Sequence, residues 1–515
     1  QQLSIIQEAY SIKFFISQTS TKGKSTAEEY YFNLADINPS SVRFQTVKDI
    51  IRISIRTKNN QRFIKKIVDG KLDSYTNQID MAADNADNAR EIQSLFKEAI
   101  PLAQEAIKSD LNLSDWSAGV SFLKTNLVKA EIGETSYQYG IAFDQVVEPR
   151  MTLEIKQSGG KNPADEIFRF NLADLNKKKV SVGVTGTTPY VSLETQGKLK
   201  YIYVSKNGEQ QSYTNTLKIP CSEVDEARRW VAVFEYLVQE APERNKDWMP
   251  EITGGEQALQ IISQLVTDTE VGNTQYKQTI AASCPTTFSQ NYNQKESSID
   301  QVAVFNWADL DPKKCKITVS GASLYINLAS RNNQKIIQIS QNGEIKEFAR
   351  STKIMLPYVE TGRALEAAIR EAIPFCEEAT KNLVGSWSDQ ERLEWLKTNV
   401  TSVSFRGGDL DQSWDQMDPS DPCSFRLEQT QSGKNTTTET IEFFGKDLDA
   451  KGIKFEASGK DMGLRVSTKN RKKLIKVIEE GEEQPYVSSI LIIFDTIEKT
   501  RMAQAILVAY AEACN

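Results

Sequence analysis

The sequence predicts an α+β, mainly β fold: four tandem antiparallel β-sandwich or barrel units, each closed by a C-terminal amphipathic helix. Three observations carry this. The stretch Phe32-Asn33-Leu34-Ala35-Asp36 returns as Phe170-Asn171-Leu172-Ala173-Asp174 and as Phe305-Asn306-Trp307-Ala308-Asp309, with a worn copy at Phe443-Phe444-Gly445-Lys446-Asp447. The aspartates step by 138, 135 and 138 residues, and a fixed period of that kind defines the architecture of a chain. Shifts of 138, 273 and 411 also align strand-like alternation and a helix-like stripe in every copy.

The chain has 515 residues, too many for one hydrophobic core. The period divides it into 1–110, 111–244, 245–383 and 384–515, the first unit incomplete at its start. Hydrophobic residues make up 39% and charged residues 25%, as in an ordinary soluble globular protein. The net charge is -7 and the basic clusters are as short as Arg471-Lys472-Lys473, so a nucleic-acid partner is not expected. The longest apolar run, Ile490-Leu491-Ile492-Ile493-Phe494, reads as a buried strand, far below the ~18 residues of a membrane span. Histidine is absent, which excludes Ser-His-Asp and Cys-His mechanisms.

Within each unit, Gly70 maps onto Gly208, Gly343 and Gly481, preceded by Asp69, Asn207, Asn342 and Glu480. Such pairs between apolar runs predict tight hairpins, because the turn needs positive φ. Ile53, Val191, Ile326 and Leu464 form one apolar row, and Ile55, Leu193, Leu328 and Val466 another two residues on, so both line one face of a strand. Ile64 maps onto Ile202, Ile337 and Ile475. The closing helices show an i, i+3, i+4, i+7 stripe: Ile92, Leu95, Phe96 and Ala99; Trp230, Val233, Phe234 and Leu237; Leu365, Ala368, Ile369 and Ala372; Ala503, Ile506, Leu507 and Tyr510. Short helices are expected after Asp115-Trp116, Asp247-Trp248 and Ser386-Trp387. Gln431-Ser432-Gly433-Lys434-Asn435 reads as a loop, and so does Gly408–Asp415, rather than as a calcium site, for it lacks the glycine and closing glutamate of an EF-hand. A full unit is thus a short helix, about seven strands and a closing helix.

Two polar positions repeat without substitution: Asp36, Asp174, Asp309 and Asp447; and Arg90, Arg228, Arg363 and Arg501. They are candidates for an anion or sugar site. The preferred reading is structural, with the carboxylate capping its turn and the arginine reaching a strand-end carbonyl or that aspartate. The aromatic row Tyr75, Tyr213, Phe348 and Tyr486 is read as packing rather than as a stacking platform. Trp116, Trp248 and Trp387 are read as wedges at unit junctions, and Thr57-Lys58-Asn59-Asn60 and Ser330-Arg331-Asn332-Asn333 as polar hairpin tips. With 69 Asp plus Glu, a glycosidase-type carboxylate pair is a further reading. No cofactor or metal is expected.

The six cysteines give the sharpest expectation. Cys376 and Cys514 both end a closing helix, and Cys284 and Cys423 both begin a strand beside a proline. The last two units therefore hold the same two cysteines, and the first two lack both. Paired presence and paired absence predict Cys284–Cys376 and Cys423–Cys514 bridges, with Cys221 and Cys315 left as a weaker third pair. Bridges would place the chain outside the cytosol.

Strands closed by one C-terminal helix resemble the pleckstrin-homology superfold, over nearly the whole chain as four copies. That resemblance implies interaction modules for lipid headgroups, peptides or proteins. Its lipid binders carry several basic residues at the first hairpin; the matching Tyr276–Gln290 stretch has one, Lys277. The start Gln1-Gln2 resembles mature envelope proteins of Bacteroidota-type bacteria after signal cleavage; a trimmed chain is the alternative. The function expected is a non-enzymatic extracytoplasmic scaffold or accessory subunit, periplasmic, outer-membrane associated or secreted, docking on a protein complex of the envelope. The alternative is a binder of glycans or envelope polymers. A carboxylate hydrolase ranks last.

Overall fold

The structure is a computed structural model, and it describes residues 2–5, 10–19, 23–111, 113–160, 162–294, 297–405, 408–432, 436–458 and 461–514. The Gly433-Lys434-Asn435 part of the expected loop lies outside the described residues. The chain forms two compact bodies, Gln1–Met249 and Pro250–Asn515. It is mainly β, with antiparallel sheets and seven α-helices among the described residues. The helices are α1 (Ala86–Asp110), α2 (Trp116–Asn126), α3 (Val224–Lys246), α4 (Gly255–Leu265), α5 (Val359–Gly385), α6 (Asp389–Asn399) and α7 (Ile497–Ala513).

The sheets come in pairs, a larger and a three-stranded one. In the second pair, the larger sheet runs Lys129–Ile132, Thr135–Phe143, Arg150–Gly159, Ala164–Asn171, Tyr203–Lys206 and Glu209–Gln210 in spatial order, and the smaller runs Ser181–Thr185, Thr188–Glu194 and Thr216–Pro220. The third and fourth pairs keep this order, and the first has five strands in its larger sheet. The chain therefore leaves the larger sheet after four strands, returns for two, and crosses again. This makes nine strands where about seven were expected. One of the extra strands is Gly408–Gln416, which corrects the loop expected at Gly408–Asp415. Asp409, Asp411, Ser413 and Asp415 are exposed while Leu410, Gln412 and Trp414 are buried, so the acidic residues sit on the solvent face of a period-two strand.

The hairpins have the expected geometry. Asp69, Asn207, Asn342 and Glu480 have φ of 49°, 52°, 51° and 49°, and the glycines after them 78° to 86°, which is the type I′ combination that suits strand twist. Each turn also extends the ladder sideways. Asp69 Oδ1 accepts from the Ala27 N–H at 3.0 Å, Asn207 Oδ1 from Asp165 at 2.9 Å, Asn342 Oδ1 from Asp300 at 3.0 Å and Glu480 Oε1 from Thr438 at 2.7 Å. The tips expected at Thr57 and Ser330 turn about a buried hydroxyl, which donates to the carbonyl four residues on: Thr57 to Gln61, Thr195 to Leu199, Ser330 to Gln334 and Thr468 to Lys472.

The strand rows Ile53/Ile55, Val191/Leu193, Ile326/Leu328 and Leu464/Val466 are fully buried. Each long helix packs over its smaller sheet. In α3, α5 and α7 the expected stripes are all buried. In α1, Leu95 is 59% exposed, and the buried face is Ala89, Phe96, Ile100 and Ala103. The cause lies in the short helices. α2 packs on α3, α4 on α5 and α6 on α7; Gly119 of α2 comes so close to Leu237 that a Cβ there would meet it at 2.8 Å. Among the described residues α1 has no such partner, so the flank holding Leu95 stays in water.

The Cys284–Cys376 and Cys423–Cys514 disulfides are present, both in Pro250–Asn515. They fit an oxidising, extracytoplasmic setting. Cys221 and Cys315 do not form the third bridge: both are free and buried. Each is packed in its own body, Cys221 in a core with Trp230 and Phe234. Burial raises the Cys221 thiol and pushes Cys315 up to about 11, so both stay protonated.

Candidate functional site

The repeated aspartate and arginine meet, but across copies. Arg228, the fifth residue of α3, donates through Nε and Nη2 to Asp36, which belongs to the preceding copy 192 residues earlier. Arg501, the fifth residue of α7, donates through Nη1 and Nη2 to Asp309, again 192 residues earlier. The expected partner was a strand-end carbonyl or the aspartate of the same copy. The helix N-terminus instead lies against the aspartate turn of the copy before. In three copies an asparagine side chain caps the aspartate turn. Asn33, Asn171 and Asn306 do so, each accepting from the N–H two residues on at 2.9, 2.8 and 3.0 Å. In the fourth copy Phe444 replaces that asparagine, and no side chain caps the turn.

The remaining members differ. Arg90 is exposed and pairs with Asp87 within α1. Asp174, Arg363 and Asp447 are half-buried. Tyr75, Tyr213 and Phe348 are buried, whereas Tyr486 is 48% exposed. Trp116 is buried at the start of α2, edge-on to Phe143 and under the Arg244 guanidinium; Trp248 and Trp387 are half-buried.

In Gln1–Met249 the junction between copies opens into a groove of about 850 Å³. One wall is the first larger sheet, with Tyr31, Phe63, Lys65 and Tyr75. The other is α2 and the start of α3, with Phe122, Glu223 and Asp225. Three contacts bridge it: Ser11 Oγ donates to Asp225 at 2.8 Å, Lys65 pairs with Glu223, and Arg228 binds both Asp225 and Asp36. Burial away from water raises Asp36 to about 6, against the opposing Arg228 charge. Arg228 pays a burial cost but is raised overall by Asp36 and Asp225. Burial, with Glu223 and Asp225 nearby, also raises the Tyr75 phenol. The groove carboxylates hold structural partners. Glu226, raised by burial, accepts from the Ser222 N–H at 2.9 Å.

The matching junction in Pro250–Asn515 is filled. Ile336 and Phe348 stand where the first body has Phe63 and Tyr75, and they pack with Met462 and Ile497, with Phe455 against them. Sequence reasoning missed this contrast, because Phe63 and Ile336 look alike until their opposite walls are known. Among the described residues no group of three or more His, Cys, Asp or Glu is placed to hold a metal ion, and no helix is long and apolar enough to cross a membrane. Comparisons with protein-family models, with curated proteins and with solved structures find no match for the chain.

Proposed function

We propose that the chain is a non-enzymatic extracytoplasmic scaffold, built of four tandem units of pleckstrin-homology type, that docks on a protein assembly of the cell envelope. One observation carries the reading: the Asp–Arg pair that recurs at a separation of 192 residues in both bodies, buried at Asp309–Arg501 and part-buried at Asp36–Arg228. A repeated inter-copy lock makes pairs of units rigid, and rigid paired units present fixed surfaces to a partner. The groove at the first junction is the preferred docking surface. It mixes aromatic rings with both signs of charge, the composition of a protein contact. The two disulfides support a site of action outside the cytosol.

Cross-linking of the native protein in its envelope, followed by mapping of the linked lysines, tests this. The expected result is one partner linked at Lys65 or Lys129 and lost in a Phe122→Ser, Lys129→Glu variant that melts like the parent. Recovery of the protein alone, or a partner retained by that variant, overturns the groove as the docking surface.

A further inference from the structure

The third sheet pair, within Pro250–Asn515, holds a cavity of about 410 Å³ between its two sheets. Its walls come from eight strands of the two sheets, and its character is aromatic and polar. Tyr276 and Tyr292 are directly opposed on neighbouring strands, and their rings stack with centroids 5.2 Å apart and planes at 30°. Both are half-buried. On the smaller sheet Tyr325 is buried with the Lys353 ammonium 4.5 Å from its ring centre, the two sharing the sheet face opposite to that of Thr352. Gln290 is buried and fixed: its Nε2 donates to Gln278 Oε1 at 2.9 Å, and Gln278 is itself tied to the Met355 N–H and carbonyl.

Thr352 is the second observation. It lines the cavity, it is 5% exposed, and its hydroxyl has no hydrogen-bond partner. Leaving a buried hydroxyl without a partner is destabilising, so a fold has no reason of its own to keep it. A ligand that bonds it would remove that cost.

The fourth sheet pair shows what folding alone requires here. It has a cavity of about 420 Å³ at the same place, between the same two sheets. The glutamine pair recurs there as Gln412 and Gln429, bonded at 2.9 Å. Around that pair the lining loses the tyrosines, the threonine hydroxyl and the lysine, while Gln431, Thr437, Glu439 and Ser489 remain. Tyr276 and Tyr292 become Leu410 and Gln431, Tyr325 becomes Gly463, and Thr352-Lys353 becomes Ile490-Leu491. The sandwich therefore closes without the tyrosines and without the hydroxyl.

We propose that the cavity in the third sheet pair is a subsite for a neutral pyranose sugar. An apolar sugar face would lie against the Tyr276–Tyr292 rings, as flat apolar surfaces do on aromatic side chains. Sugar hydroxyls both donate and accept, and so do the Thr352 hydroxyl and the glutamine amides of Gln301 and Gln341 that line the same space. The charged groups of the lining are Lys353, engaged over Tyr325, and Glu347. One charge of each sign gives an anionic ligand no net attraction. The subsite lies in the body that does not hold the docking groove, so it stands or falls separately from the docking reading.

The test is calorimetry on the full, disulfide-intact chain with maltotetraose, cellotetraose, xylotetraose, mannotetraose and chitotetraose, and with an oligogalacturonate as the anionic comparison. One or more neutral oligosaccharides should bind. Tyr292→Ala and Thr352→Val should each weaken that binding by roughly tenfold, the loss of about one good contact. Thr352→Val is nearly isosteric and removes an unpaired hydroxyl, so its melting temperature should hold or rise. Tyr190→Ala, in the other body, should leave binding unchanged. The proposal is overturned if no neutral oligosaccharide binds, if binding survives both cavity variants, or if only the oligogalacturonate binds.

Discussion

Arg501 places two guanidinium nitrogens on the two carboxylate oxygens of Asp309, and both side chains are buried, at 6% and 10% exposure. Glu498 adds a second carboxylate, and the Phe455 ring lies 5.6 Å from the guanidinium carbon. Removing one partner of such a pair strands a buried charge, which costs about 3–5 kcal/mol. Arg501→Ala should therefore lose about that much in urea unfolding of the body. Arg90→Ala, at the same helix position but exposed, should lose less than about 0.5 kcal/mol. The double variant Asp309→Asn, Arg501→Met should lose less than the sum of its single changes. Equal losses at Arg90 and Arg501 would remove the inter-copy lock from the account.

The equivalent pair in the other body carries a pH dependence. Burial raises Asp36 from 3.8 to about 6 in the folded chain. The folded state thus holds the proton more tightly than the unfolded one. The stability linked to that proton is fully present below about pH 4 and is lost as the pH rises through about 6. The contribution is at most ~3 kcal/mol. The stability of the parent relative to Asp36→Asn should therefore rise as the pH falls from 7 to 4. Denaturant titrations at several pH values check this, and a flat or falling difference contradicts it.

The disulfides close loops with sequence separations of 92 and 91 residues, both in Pro250–Asn515. In the chain-entropy model each bridge of that span contributes about 4–5 kcal/mol. Reduction should therefore loosen Pro250–Asn515 and leave Gln1–Met249 intact. Hydrogen exchange with and without reductant reads the two bodies in one experiment. Equal loss of protection in both would show that the bridges do not act on their own body alone.

Much of this was legible in the sequence, for reasons that differ by residue. The turn glycines Gly70, Gly208, Gly343 and Gly481 announce themselves, because positive φ is a local demand that few residues meet. The bridges were legible because Cys284 and Cys376 recur together as Cys423 and Cys514, and two positions that come and go together are neighbours. The partner of Arg228 was not legible. Fourfold identity says that Asp and Arg are both needed, but every copy holds both, and only the packing decides that Arg228 meets Asp36 rather than Asp174. The strand Gly408–Gln416 was hidden by its four polar outward residues, Asp409, Asp411, Ser413 and Asp415. The tyrosine-lined cavity was hidden because Tyr276, Tyr292, Tyr325 and Thr352 lie on separate strands and share no spacing.

The worn motif has a packing cause that can be tested. Gly445 stands where the other copies have Leu34, Leu172 and Trp307. A Cβ on Gly445 would meet Cys514 Sγ at 2.9 Å, Cys514 Cβ at 3.2 Å and the Phe425 ring at 3.4 Å. In this copy the bridged Cys514 side chain occupies the space beside Gly445, whereas the third copy carries Trp307 together with its own Cys284–Cys376 bridge, so the exclusion belongs to the local packing of Cys514 and Phe425 and not to the presence of a bridge as such. Gly445→Ala should cost about 1–3 kcal/mol, as overpacking of a tight core does. In a Cys423→Ala, Cys514→Ala background the sulfur is gone and the residue 514 side chain is no longer tethered. There the same substitution should cost much less, and Gly445→Leu, which restores the residue of the first two copies, should be better tolerated than with the bridge present. Thermal unfolding of the four combinations measures the coupling between the two sites. If Gly445→Ala costs the same with and without the bridge, the sulfur is not what excludes a side chain at residue 445.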